Sequence, residues 1–230
     1  QMVEALLPQF KAQGYSHAYV MGVYQLERPE NIQGQAGPDA SLFSPYSWRM
    51  SREAGGEEAF RAMVAKANEL GLGVLVDVIP HLNQNSHELP EWAIVKAYGS
   101  KGQIVRRLAT DGGVNHEDGS PVEWHDSVAL NFRDKRVLDA FAGLILKLAE
   151  MGVAGIRGDV FHNYGNALPT SENLQGRERV FGYVTSWQRA DNGGFKIVNQ
   201  WRNDQANPFL THLVAQTTQQ YPQFIFIGEN

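Results

Sequence analysis

Three carboxylates and one guanidinium stand where apolar runs end. Asp77 nearly closes the run Gly73-Val-Leu-Val-Asp77-Val-Ile79 and is followed by Pro80-His81. Arg157 and Asp159 lie two apart in Gly155-Ile-Arg-Gly-Asp-Val-Phe-His162, and Glu229 follows the run Phe224 to Ile227. A charge placed where a buried strand surfaces is costly unless it is paired or used. Residues two apart on a strand face the same side, which puts Arg157 and Asp159 together. Paired carboxylates suit glycoside chemistry: one attacks or stabilises an oxocarbenium-like carbon while the other, protonated, feeds the leaving oxygen. On that reading Arg157 lowers the pKa of Asp159 and keeps it ionised. Glu229 needs the opposite, a pKa raised by burial or a neighbouring like charge. For any one of these residues a strand-end ion pair explains the charge as well. Their convergence at three strand ends favours chemistry.

The elements that must position them follow one repeated pattern, an amphipathic helix, a Gly, then a short apolar strand. Val3, Leu6, Leu7 and Phe10 precede Gly14 and a strand expected from His17 to Val23. Phe60, Met63, Val64 and Ala67 precede Gly71 and the strand ending near Asp77. Val137, Leu138, Phe141, Leu144, Ile145 and Leu148 form the clearest helical stripe, and Gly152 and the strand Val153 to Val160 follow. Asn207-Pro208 opens a fourth helix before Phe224 to Ile227. Strands this apolar are expected to be covered on both faces, in a parallel sheet of an α/β fold. None of them leads into a Gly-rich phosphate loop, which counts against a doubly wound sheet. The connections after the strands are long, at 24–57, 80–134 and 162–207, and those entering the strands are short. That asymmetry predicts a (β/α)8 barrel with its chemistry on the loops after the strands. About four helix–strand units are part of such a barrel, which takes about 250 residues. The expected division is 1–79, first part of the barrel; 80–131, a small inserted excursion; and 132–230, barrel again, truncated after Glu229.

Composition narrows the classes further. The chain has 230 residues, a net charge of -5 and no Cys, so disulfides and thiolate metal sites are excluded. Mild acidity carries no footprint for nucleic acid. No apolar run approaches the roughly 20 residues of a membrane span. The first ten residues do not read as a signal peptide, and the missing initiator Met suggests that something upstream is absent. Soluble cytoplasmic and secreted locations stay open. His81, His87, His116 and His125 match no familiar metal spacing. Trp92 and Trp124 suit either sugar stacking or a small satellite core. Between Asn166 and Asn203 a helix is expected from Arg177 to Arg189.

Taken in order, these segments resemble the central part of the α-amylase family of glycoside hydrolases. Asp77-Val-Ile-Pro-His81 is similar to the family's Asp-Val-Val-x-Asn-His, and Gly155-Ile-Arg157-Gly-Asp159 to its Gly-x-Arg-x-Asp. Ile227-Gly228-Glu229 resembles the strand that ends in its acid/base Glu. Leu130-Asn131 through Val137 and Ser44-Pro45-Tyr46 resemble two further segments, and the match covers almost the whole chain. The resemblance implies a retaining hydrolase or transglycosidase of α-glucosidic bonds, with an α-glucan or oligosaccharide substrate and no cofactor. It makes Asp159 the nucleophile and Glu229 the acid/base, with Arg157, Asp77, His81, Tyr46 and His162 around the sugar. The family's third catalytic Asp would lie beyond Asn230. Departures fall at His81 and Leu82, at His162-Asn163, and at Ala129, where the family commonly has a calcium ligand. Calcium at the usual site is therefore not expected. The departures also keep an alternative open, an amylase-like scaffold that binds without catalysis. A retaining pair is expected to stand about 5–5.5 Å apart, with Arg157 reaching Asp159 or Asp77.

Overall fold

Helices form where the apolar stripes and their stops fall. The computed structural model describes residues 2–26, 41–86, 89–94, 96–98, 104–106, 108–115, 121–130, 132, 134–159, 186–189, 195–198 and 208–229. Among these, α1 spans Met2–Ala12, α2 Gly56–Glu69, α3 Lys135–Glu150 and α4 Pro208–Gln220. In α3, Val137, Phe141, Ile145 and Leu148 are buried in one stripe, and the Asp134 side chain caps the helix by accepting from the Arg136 N–H at 2.9 Å. Gly71 and Gly152 follow α2 and α3 at φ 69° and 85°. A side chain there would be strained, so glycine ends both helices.

The strands fall into two classes. β1 (His17–Val20), β4 (Gly73–Val78), β10 (Gly155–Gly158) and β13 (Ile225–Gly228) make a parallel sheet in the order β1-β4-β10-β13. The others are short and antiparallel: β2 (Tyr24–Gln25) with β3 (Ser47–Met50), β5 (Leu82–Asn83) with β9 (Pro121–Val128), β8 (Leu108–Asn115) with β9, β6 (Lys96–Tyr98) with β7 (Ile104–Arg106), and β11 (Ser186–Arg189) with β12 (Phe195–Val198). Three boundaries differ from expectation, and one is the start of β10, at Gly155 rather than Val153. β1 stops at Val20 because Gly22 turns the chain at φ 66°. Ser186–Arg189 is a strand, where a helix over 177–189 was expected; residues 177–185 lie outside those described. Alternating Ser-Trp-Gln-Arg and Phe-Lys-Ile-Val segments flank Asp191-Asn-Gly-Gly194, which is a hairpin composition.

Alternation along the parallel strands separates two faces. Val74, Val76, Val78 and Ile156 are fully buried and join Phe60, Met63 and Val64 of α2 and Phe141 and Ile145 of α3 in one core. Burying each such side chain stabilises by about 1.5–3 kcal/mol. Phe141 anchors this core, edge-on to Trp48 and to Phe132 with centroids 5.4 Å away in each case. The opposite face carries Tyr19, Leu75, Asp77, Arg157 and Ile227. It is not covered throughout, as the apolar strands had suggested: Tyr19 is 46% and Ile227 42% exposed. Gly155 lets β13 close against β10, since a Cβ there would stand 2.4 Å from the Ile225 carbonyl oxygen. No helix among the described residues is long and apolar enough to cross a membrane.

Candidate active site

Register alone brings the charged residues together. Arg157 pairs across to Asp77 on β4 and to Ile227 on β13. The ladder continues one step past the strands, with the Asp159 N–H on the Val78 carbonyl at 2.9 Å and the Glu229 N–H on that of Gly158 at 3.1 Å. Asp77, Arg157, Asp159 and Glu229 therefore share the carboxyl ends of three adjacent strands. Arg157 Nη1 donates to Asp77 Oδ1 at 2.9 Å and to Asp159 Oδ1 at 2.8 Å, while Nη2 pairs with Glu229 Oε1. Both reaches expected of Arg157 are present, and Glu229 is a third partner. Side-chain exposure rises from 2% at Asp77 and 8% at Asp159 to 38% at Glu229, so Glu229 is the member that faces outward.

One guanidinium among three carboxyl groups cannot hold all of them ionised. The pKa of Asp159 is pushed up to about 7, first by burial, then by a hydrogen bond with Glu229 and by the charges of Asp77 and Glu229. Arg157 opposes this with a smaller effect. The lowered pKa expected for Asp159 is thus overturned, because burial and two like charges outweigh one opposite charge. Burial likewise raises Asp77 above the ordinary carboxylate range against the pull of Arg157. Glu229 thus acts on Asp159 both by hydrogen bonding and by its charge.

His81 and Tyr46 belong to a second group, a polar seam between segments 41–46 and 81–86. His81 Nε2 donates to the Phe43 carbonyl at 2.8 Å, the Asn83 N–H to that of Pro45 at 2.8 Å, and Ser86 Oγ to that of Tyr46 at 2.6 Å. Ser44 Oγ accepts from Asn83 Nδ2 at 3.2 Å and donates to the Asp126 carbonyl at 3.0 Å. Burial lowers the His81 pKa to about 4, which keeps the ring neutral. Tyr46 is 1% exposed. Both residues are therefore held in the wall of the loop. His162 lies outside the described residues, as does Asn163.

Leu82 and Ala129 are buried and apolar, so at these two departures from the family pattern the chain packs side chains into its interior. Arg136 lies over the Trp92 ring, 3.7 Å from its centroid, so a cation occupies that ring face. Nothing is described of the Trp124 side chain. Among the described residues no group of three or more His, Asp or Glu is arranged to hold a metal ion. Sequence reasoning passed over Tyr19. Its hydroxyl stands beside the Asp77 carboxyl, and burial together with that charge pushes its pKa up to about 12. The signal was available, since Tyr19 shares its face parity with Leu75 and hence with Asp77.

No family model matches the chain. It is 28% identical over 148 residues to Maltase 1 of Drosophila virilis, covering 54% of this chain and 23% of that protein. With the alpha-1,4-glucan:maltose-1-phosphate maltosyltransferase of Rhodospirillum rubrum it shares 27% identity over 241 aligned positions, 98% of this chain and 27% of that protein. An α-amylase structure from Lactobacillus plantarum matches with a TM-score of 0.61 at 18% identity, covering 99% of this chain and 40% of that one. The chain thus spans about a quarter of the length of these curated relatives. In sequence and in fold it is similar to the α-amylase family, and its parallel sheet and helices are part of a (β/α)8 barrel of that kind.

Proposed function

We propose that the full-length protein is a retaining glycoside hydrolase or transglycosidase acting on α-glucosidic bonds. The observation that carries this is the Asp159–Glu229 pair, tied to one arginine at the carboxyl ends of adjacent strands. Retaining chemistry needs one ionised and one protonated carboxyl group. Asp159, fixed by Arg157 and by the backbone, attacks the anomeric carbon while the bond to the leaving oxygen breaks. Glu229, the more exposed of the two, turns outward and gives that oxygen its proton. Glu229, now a carboxylate, then takes a proton from water or from a sugar hydroxyl, whose oxygen displaces Asp159. Hydrolysis and transfer differ only in that acceptor.

Asp77 positions Arg157 rather than touching sugar. Tyr46 and His81 shape the adjoining loop, and His162 supplies a sugar contact from the segment that follows Asp159. Residues 80–131, whose strands pair apart from the parallel sheet, act as a small inserted domain. The names of the two curated relatives support an α-glucan or oligosaccharide substrate. The reading calls for no cofactor.

The test uses the full-length protein with α-glucosyl fluoride. Asp159→Ala should abolish turnover, because no group remains to form the covalent bond. Glu229→Ala should keep the first step, since fluoride leaves without a proton, and azide should restore release as glucosyl azide. Wild-type rates in both variants would refute the roles given to Asp159 and Glu229, and a wild type inert toward every α-glucoside would favour the binding scaffold.

A further inference from the structure

The inner face of the sheet holds a phenol that the mechanism above leaves unused. Tyr19 of β1 lies opposite Leu75 of β4, and Asp77 follows two residues later on the same face. Asp77 Oδ1 accepts from Arg157, whereas Oδ2 is buried and has no aligned donor. An acceptor in that position is costly unless a donor comes to it. The Tyr19 hydroxyl stands beside this carboxyl, close enough to act as a donor to it.

We propose that Tyr19 is a positioning residue: its hydroxyl bonds Asp77, and Asp77 in turn holds Arg157 where it reaches both Asp159 and Glu229. The proposal rests on reading those two as the reacting pair. A phenol suits the task because it stays protonated beside a carboxylate, and here that charge and burial suppress its ionisation further. The groups acting on Asp77 are Tyr19 from β1, Tyr24 from β2, Arg157 and Asp159 from β10 and its end, and Glu229 after β13. Tyr19 and Arg157 favour its ionised form and Glu229 opposes it. Removing the phenol hydroxyl therefore raises the Asp77 pKa and loosens Arg157 at higher pH than before.

In the full-length protein, Tyr19→Phe should lower kcat on 4-nitrophenyl α-glucoside about tenfold, as expected for a lost bond to a charged group. KM should change little, and the acid limb of the pH profile should move upward. In an Asp77→Asn background the same substitution should add nothing. An unchanged Tyr19→Phe profile, or additive effects with Asp77→Asn, would overturn the proposal. A second readout needs no turnover. In protein labelled at tyrosine Cζ, the resonance absent from Tyr19→Phe belongs to Tyr19, and Asp77→Asn should move it and let it titrate at lower pH. An unmoved resonance refutes the contact even in an active enzyme. A moved resonance in a protein inert toward α-glucosides supports the contact and refutes the glycosidase reading instead.

Discussion

Asp159 must be ionised to attack, yet its surroundings favour the proton. A carboxyl group whose pKa rises from 3.8 to about 7 on folding destabilises the fold as pH climbs through that interval. The contribution is intact below 3.8 and fully lost above 7. His81 works in the opposite sense, because burial takes its pKa from 6.5 down to about 4. Its contribution is intact above 6.5 and is lost as pH falls toward 4. The two slopes offset each other in mildly acidic solution. Asp159→Asn, which cannot ionise, should therefore melt a few degrees above wild type at pH 7.5 and close to it at pH 4.5. The profile of this variant should then fall on acidification, exposing the His81 slope. Thermal unfolding monitored at the two pH values checks this, and equal melting points at pH 7.5 would mean that Arg157 neutralises Asp159 after all. The sign of the Asp159 shift was illegible in the sequence for a physical reason. Spacing places Arg157 beside Asp159, but register is what brings Asp77 and Glu229 to the same guanidinium.

The loop 41–46 is held by donors from residues 81, 83 and 86 that bond its carbonyl groups at 43, 45 and 46. A buried carbonyl left without its donor costs about 1–3 kcal/mol. His81→Leu removes a donor and keeps much of the volume, so it should lower unfolding stability by about that amount. His81→Gln can still present an N–H to the Phe43 carbonyl and should cost less than half as much. Denaturant titration of the two variants separates the donor from the ring, and equal losses would assign the effect to packing. Elements of this kind were only partly legible. The helix stripes and their glycine stops could be read directly, because a 3.6-residue period and a positive φ leave marks in residue type. The seam could not, since Ser44, Asn83, Ser86 and Ser127 are scattered polar residues until the chain folds them into one buried network. At β11 the helical expectation failed because Ser-Trp-Gln-Arg alternates with a period of two and Gly193-Gly194 follows, which suits a strand entering a hairpin.

In the four-stranded sheet β1 and β13 are the outer members, each hydrogen-bonded on one side only among the described residues. In a closed barrel every strand has two neighbours, and its inner face is filled by side chains from the opposite wall. Here Tyr19, Met21 and Ile227 are 46%, 39% and 42% exposed, while the helix-facing Val74, Val76 and Ile156 are fully buried. One face is therefore finished and the other still presents apolar surface beside two strand edges. Unpaired edges pair with other chains, and contiguous exposed apolar surface attracts partners. The 230-residue polypeptide, produced by itself, should bind a hydrophobic dye and elute from size exclusion above its monomer mass. Association should grow with protein concentration and ionic strength, because salt screens the net charge of -5 without weakening apolar contact. Charging the face by Ile227→Lys should reduce both dye binding and association while leaving the helix-packed core, and hence the far-ultraviolet signal, in place. A monomer that melts cooperatively and ignores the dye would mean that the inner face closes within these residues, and the charged substitution would then destabilise the chain instead of solubilising it.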